Sequence, residues 1–299
     1  MGVGRDMSKT TERQANWSIL GVLIAAVVIS SYVILTWARL PASWSQSLHR
    51  MSSSTQTQLL RLVGRGCETL GIENPALELR HGIYLLLTGL VLPWVVAAIL
   101  LRGNPADIGL RRPNRLGWRI LAVSYVIALP LVVWMALSPK FGPYYLPQIA
   151  RSGAAVFLTY HFFGMLAEHF LFHGVMLAAF RKGGRWPAPP PVDASARSAS
   201  GRLLQWFGLA QPTDGAFGVR RVTRWIGLPD GCVVALLVSA ALFGVIHIGK
   251  DPRELLMSFP GGIGLAYLAY RTNSWLIPFL LHLVTAGTAC LLMVLLASG

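Results

Sequence analysis

Residues Ala154–Phe180 read AAVFLTYHFFGMLAEHFLFHGVMLAAF, an apolar run holding a single carboxylate, Glu168, and three imidazoles, His161, His169 and His173. A helix rises about 1.5 Å per residue, so the run is long enough to cross a hydrocarbon layer of about 30 Å with room for tilt or a break. Its apolar residues cover every side rather than one stripe, the pattern of a helix surrounded by lipid or by other buried helices.

The same pattern recurs outward in both directions. Trp17–Ala38, His81–Leu101, Leu116–Leu137, Gly231–Ile248 and Ser274–Ala297 are further apolar blocks close to the ~20 residues that a span requires. Leu255–Tyr270 is shorter and glycine-rich, as expected of a crossing whose small residues let neighbouring backbones approach. With 54% hydrophobic and 13% charged residues, the chain is predicted to be an all-α, polytopic transmembrane bundle of about seven spans. The first block exceeds the ~7–15 apolar residues of a secretory signal and is followed by more spans, so it reads as a retained helix.

A formal charge of +14 raises the question of nucleic acid. The basic residues cluster in the connections between apolar blocks and form no base-reading module, so nucleic acid is excluded as a partner. They report topology instead. Arg5, Lys9 and Arg13 precede the first block, Arg102, Arg111, Arg112 and Arg115 follow the second, and eight basic residues lie from Arg181 to Arg224. The positive-inside rule puts these connections and the N-terminus in the cytoplasm, and the chain is expected in a bacterial inner membrane. The basic stretch Arg39–Arg80 falls on the opposite side and fits that rule less well. Cys67, Cys232 and Cys290 have no metal or redox spacing and read as packing residues.

No internal repeat is visible. Residues 1–106 read as an N-terminal transmembrane region with a polar loop, which includes a short interfacial helix at Gln58–Leu70 with Leu59, Leu62, Val63 and Leu70 on one face. Residues 107–299 read as the core. The segment Arg181–Gly231 within it carries Pro187-Ala188-Pro189-Pro190-Pro191, an extended linker, and then a basic, aromatic stretch around Trp206, Arg220 and Trp225 suited either to anionic headgroups or to an ordinary cytoplasmic loop.

Ionisable groups inside hydrocarbon are costly unless paired or functional, which makes their short inventory informative. Glu168 is the one carboxylate well inside a predicted span. Besides His81, which opens its block, five of the seven histidines lie in or at the ends of spans: His161, His169, His173, His247 and His282. His161 and Glu168, seven apart, share a helix face, while His169 and His173 form an i, i+4 pair about 100° away. A lone histidine such as His161 is more often a hydrogen-bonded packing residue. Convergence of Glu168, His247 and His282 supplies a carboxylate, an imidazole and a second donor, a set able to activate water and stabilise an oxyanion.

The ordered motifs Glu168…His173-Gly174, Phe243-x-x-x-His247, Gly261-Gly262 and Arg271-Thr272-Asn273-Ser274-Trp275-x-x-Pro278 leading into His282 resemble the CPBP family of intramembrane glutamic proteases, the relatives of CAAX-processing enzymes and bacteriocin-protection proteins. Ile108-Gly109-Leu110-Arg111-Arg112-Pro113 is similar to a stretch often found upstream of that core. The resemblance covers roughly Asp107 to the C-terminus. It implies an endopeptidase acting on a membrane-associated, prenylated or secreted peptide, with Glu168 as general base, His247 as its partner, His282 as oxyanion donor and His169 and His173 in support. It implies no cofactor, and membrane lipid and a peptide or protein substrate as partners. The family motif Glu-Glu-x-x-x-Arg is here Glu168-His169-x-x-x-His173, and the Asn or Asp four residues past the last histidine is Ala286, with Thr285 beside it.

Two other readings accompany this one. His169 and His173 at i, i+4, with His247, His282 or Glu168, offer ligands to Zn²⁺ in a metal-dependent hydrolase. The altered positions also suit a non-catalytic membrane protein that binds peptide or lipid in the same cavity.

Overall fold

A computed structural model describes residues 46–70, 77–101, 105–183, 228, 232–248 and 250–298. The expected span Trp17–Ala38 and nearly all of the Pro-rich and basic segment up to Gly231 lie outside these residues.

All regular structure among the described residues is helical. The elements are α1 (Gln46–Thr69), α2 (Leu77–Leu86), α3 (Leu92–Leu101), α4 (Arg115–Ala136), α5 (Phe141–Ser152), α6 (Ala154–His169), α7 (Leu177–Gly183), α8 (Cys232–Val245), α9 (Pro252–Thr272) and α10 (Leu276–Ser298). Wider π-helical stretches, Leu87–Val91 and Phe170–Met176, join α2 to α3 and α6 to α7. The predicted Gln58–Leu70 helix starts twelve residues earlier, at Gln46, and leaves Leu62 and Leu70 exposed. The α5 helix is not anticipated by hydropathy, because Pro143, Pro147, Gln148 and Arg151 interrupt its apolar residues.

Three described helices are long and apolar enough to cross a membrane: Arg115–Ala136, Ala154–Arg181 and Leu276–Ala297. Gly82–Ala98 and Cys232–Val245 are apolar but shorter. The predicted Gly231–Ile248 block stops being helical at Val245, where turns carry His247 and Ile248 toward α9.

Helix ends follow local chemistry. The Asn114 side chain accepts the Gly117 N–H at 2.8 Å and caps α4. Asp251 caps α9 by accepting from the Arg253 and Glu254 N–H groups at 2.8 and 3.4 Å, with Pro252 in the first turn. Asn273, in the left-handed region at φ 49°, ends α9 and turns the chain into α10.

Packing depends on small residues at close crossings. A Cβ on Gly262 would sit 3.1 Å from the Ala240 Cα, so the glycine-rich helix lies hard against α8, as its composition predicts. A Cβ on Gly89 would meet the Ala167 Cβ at 2.8 Å, inside any normal contact. This crossing sets the first π-helical stretch beside the residue that precedes Glu168. The upstream stretch near Gly109 docks on the α9–α10 turn: Trp275 N–H donates to the Gly109 carbonyl at 3.2 Å and the Ser274 hydroxyl to the Arg111 carbonyl at 2.9 Å.

Candidate active site

The rod formed by α6, the π-helical stretch and α7 runs through the bundle. Its apolar window is 67% buried within the protein, against 11% for α4 and 22% for α10. π-helical turns recur at functional sites, and the extra residue shifts the register, so faces extrapolated at 3.6 residues per turn do not carry past His169.

A cavity of about 1300 Å³ opens beside this rod, lined among others by Glu168, His161, His247, His282, Lys250 and Glu254. His161 and Glu168 share it, as their seven-residue spacing predicts. Glu168 makes no hydrogen bond or ion pair with any described residue and is partly open to the cavity. Its apolar helix satisfies its own backbone and offers the carboxylate nothing. His161 packs on Phe157 with ring centroids 4.2 Å apart, and its Nε2 is buried without a hydrogen-bond partner.

Three histidines meet behind Glu168. His169 Nε2 and His282 Nδ1 are 2.8 Å apart and share one proton in a hydrogen bond. The His169 and His173 rings stack at 4.8 Å with 26° between planes. Both are buried. His169 Nδ1 and both His173 nitrogens have no hydrogen-bond partner, the Gly262 backbone approaching His173 without completing a bond. Phe243 lies among four imidazoles, 4.7 Å from His247, 5.6 Å from His173, 5.9 Å from His282 and 6.0 Å from His169. The motif's phenylalanine is thus the apolar wedge between the histidines.

His247 follows a different logic. Its Nδ1–H donates to the Phe243 carbonyl at 2.8 Å, four residues back at the frayed end of α8, which leaves Nε2 as the open nitrogen. The carboxylate oxygen found beside Nε2 is Glu254 Oε1 at 3.9 Å, and no hydrogen bond joins His247 to Glu168. Glu254 also receives Lys250 Nζ at 2.8 Å on Oε1 and the Tyr145 hydroxyl at 2.7 Å on Oε2. Burial works against the Lys250 charge, but Glu254, Tyr145 and Glu168 together outweigh it and hold the ammonium well above the ordinary lysine range. Lys250, Glu254 and Tyr145 are absent from the residues that sequence motifs single out. The signals available were the i, i+4 spacing of Lys250 and Glu254 and the Asp251-x-x-Glu254 start of a helix.

Ala286 lines the cavity and brings no polar group to it. The neighbouring Thr285 hydroxyl donates within its own helix, toward the Leu281 and His282 carbonyls at 2.9 and 3.0 Å, so its proton is not directed at the cavity. Among the described residues, no three of His, Cys, Asp and Glu form a metal-holding group. Cys67, Cys232 and Cys290 are free thiols.

Residues 150–288 match the family model described as "Type II CAAX prenyl endopeptidase Rce1-like". The match spans Glu168, His247 and His282 and bears out the resemblance carried by the motifs: this part of the chain is similar to the Rce1-like domains of CAAX proteases. No curated protein and no solved structure matches the chain. The apolar helices and the membrane-protease family together make this an integral membrane protein.

Proposed function

We propose that the chain is an intramembrane endopeptidase in which Glu168 activates water for attack on a peptide bond. The observation that carries this reading is Glu168 itself, a partnerless carboxylate on a largely buried apolar helix that opens onto a cavity shared with His161, His247 and His282. An unpaired acid in such a place costs stability and is kept for chemistry.

Water between Glu168 and His247 loses one proton to the carboxylate and directs its other hydrogen at His247 Nε2. Its oxygen bonds to the peptide carbonyl carbon, and the carbonyl oxygen becomes an oxyanion. His282 Nε2–H faces that oxygen, provided that Nδ1 carries no proton. The His169 bond supplies that condition: when His169 Nε2–H donates, His282 Nδ1 accepts, and the unpartnered His169 Nδ1 is then a bare lone pair rather than a stranded N–H. Protonated Glu168 returns its proton to the amide nitrogen, the C–N bond breaks, and the new carboxylic acid releases its proton to His247.

The substrate class that suits an Rce1-like domain in a membrane is a membrane-associated or prenylated peptide. In the same reading the bundle has about seven spans, its N-terminus is cytoplasmic and it lies in a bacterial inner membrane. No metal is required. His247 Nδ1 is committed to a carbonyl and His169 Nε2 to His282, which argues against all four histidines serving one ion.

The test is cleavage of a fluorogenic farnesylated CAAX peptide by the full chain in lipid nanodiscs. Wild type cleaves it, chelators leave the rate unchanged, and Glu168→Gln reduces it by roughly 10³-fold. Undiminished cleavage by Glu168→Gln refutes the assignment. The bare wall at Ala286 favours a second reading, peptide binding without hydrolysis; loss of processing in His247→Ala with peptide binding intact excludes it.

A further inference from the structure

Glu254 and Glu168 are the two carboxylates that line the cavity among the described residues, and the proposed chemistry leaves Glu254 unused. Its placement is over-determined. Ser138 donates to Asp251 at 2.6 Å, Asp251 caps the first turn of α9, and that turn aims Glu254 back across the α8–α9 connection. Lys250 and Tyr145 then hold one carboxylate oxygen each, at 2.8 and 2.7 Å. The oxygen held by Lys250 is also the one 3.9 Å from His247 Nε2.

We propose that Glu254 is a positioning residue of the candidate site, a fixed negative charge that stabilises the proton His247 Nε2 receives when the product acid forms and orients the resulting N–H. The proposal rests on the functional reading above only in giving His247 that proton; the pairing itself is a matter of geometry. His247 is 2% exposed, and an imidazolium there without a counter-charge carries the full penalty of a buried ion. The groups facing it are few. Phe243 presents a carbonyl and a ring, and His161, Tyr145, Glu168 and His282 line the same cavity, the His161 and Tyr145 ring centroids being 5.7 Å apart. Lys250 also faces His247 and, with burial, works against its protonation; Glu254 is the charged group that opposes them. The resembled motif has a carboxylate at position 169, where this chain has His169; Glu254 brings a second carboxylate to the cavity from a different helix.

The experiment uses the full chain in nanodiscs, ¹⁵N-labelled at histidine, with His247→Gln to assign the His247 ring signals. Glu254→Gln keeps the side-chain shape and an acceptor for Tyr145 but removes the charge. It is expected to lower the pH at which the His247 ring signals change to the protonated form, and to lower kcat on the farnesylated peptide roughly tenfold, with KM unchanged. Glu254→Asp recovers part of both effects. Unchanged His247 signals in Glu254→Gln overturn the proposal. If wild type does not cleave the peptide, the His247 signals still decide: a shift upholds the pairing while the proteolytic reading falls. If Glu254→Gln does not fold, Tyr145→Phe removes one of the donors that fix Glu254, and a smaller shift in the same direction is required; none overturns the proposal.

Discussion

The rod that carries Glu168 and the α4 helix are both long and apolar enough to span a membrane, yet 67% of one apolar window is buried in protein and 11% of the other. On α4, Val126 and Ile127 are each 68% exposed, while Val175, Met176 and Ala179 on the rod are fully buried. Apolar character alone does not decide these fates, because lipid tails are as apolar as leucine and supply no drive to sort apolar side chains inward; the buried rod is the less apolar of the two. The polar residues separate them. The outward surface of α4 carries no ionisable group in its central turns, whereas the rod carries Glu168, His161, His169 and His173 toward the cavity or the interior. In a membrane the inner face is marked by the residues lipid excludes.

The comparison can be broken first at the rod. Glu168→Gln removes cleavage by roughly three orders of magnitude while leaving thermal stability within about 0.5 kcal/mol, because the carboxylate has no partner to lose. A large loss of stability would mean that Glu168 is structural. The opposite change belongs on α4: Val126→Arg puts a charge against lipid and costs about 2.5–3.5 kcal/mol of insertion free energy, read as a fall in the membrane-inserted fraction. Normal insertion would show that this face is covered by protein. Next in size is the crossing beneath the site. Gly89→Ala drives a methyl into Ala167 and costs about 1–3 kcal/mol in unfolding measurements, and Ala167→Gly in the same chain restores part of it. Without that rescue the contact is not what limits residue 89. The smallest effect is Val126→Ala, within about 0.5 kcal/mol of wild type, since its side chain meets little protein.

Much of this architecture is legible in the chain. Each described helix between His81 and Ser298, α5 apart, coincides with an apolar block to within a few residues, except that the last turn before His247 unwinds. Glu168 stands out because no other carboxylate lies deep in an apolar run. The seven-residue step from His161 to Glu168 predicts a shared face, and both line one cavity. Beyond His169 that periodicity loses its meaning, since the π-helical stretch inserts an extra residue into the turn. The α5 helix and its Tyr145 are hidden for another reason: a short, proline-bearing helix has neither the length of a span nor a clean stripe.

Long apolar runs determine helices in this chain because a backbone in lipid must satisfy its own hydrogen bonds, and a helix does so within one segment of sequence. That requirement is local, so composition and length were enough to read it. The pairing of His169 with His282, 113 positions apart, and of Tyr145 with Glu254, 109 apart, obeys no local rule. Those partners were chosen by how the helices pack, through Gly89 against Ala167, Gly262 against Ala240, and the capped turn that swings Glu254 toward His247. A hydrogen bond needs its atoms about 3 Å apart, and only the assembled bundle brings residues from separate spans within that reach.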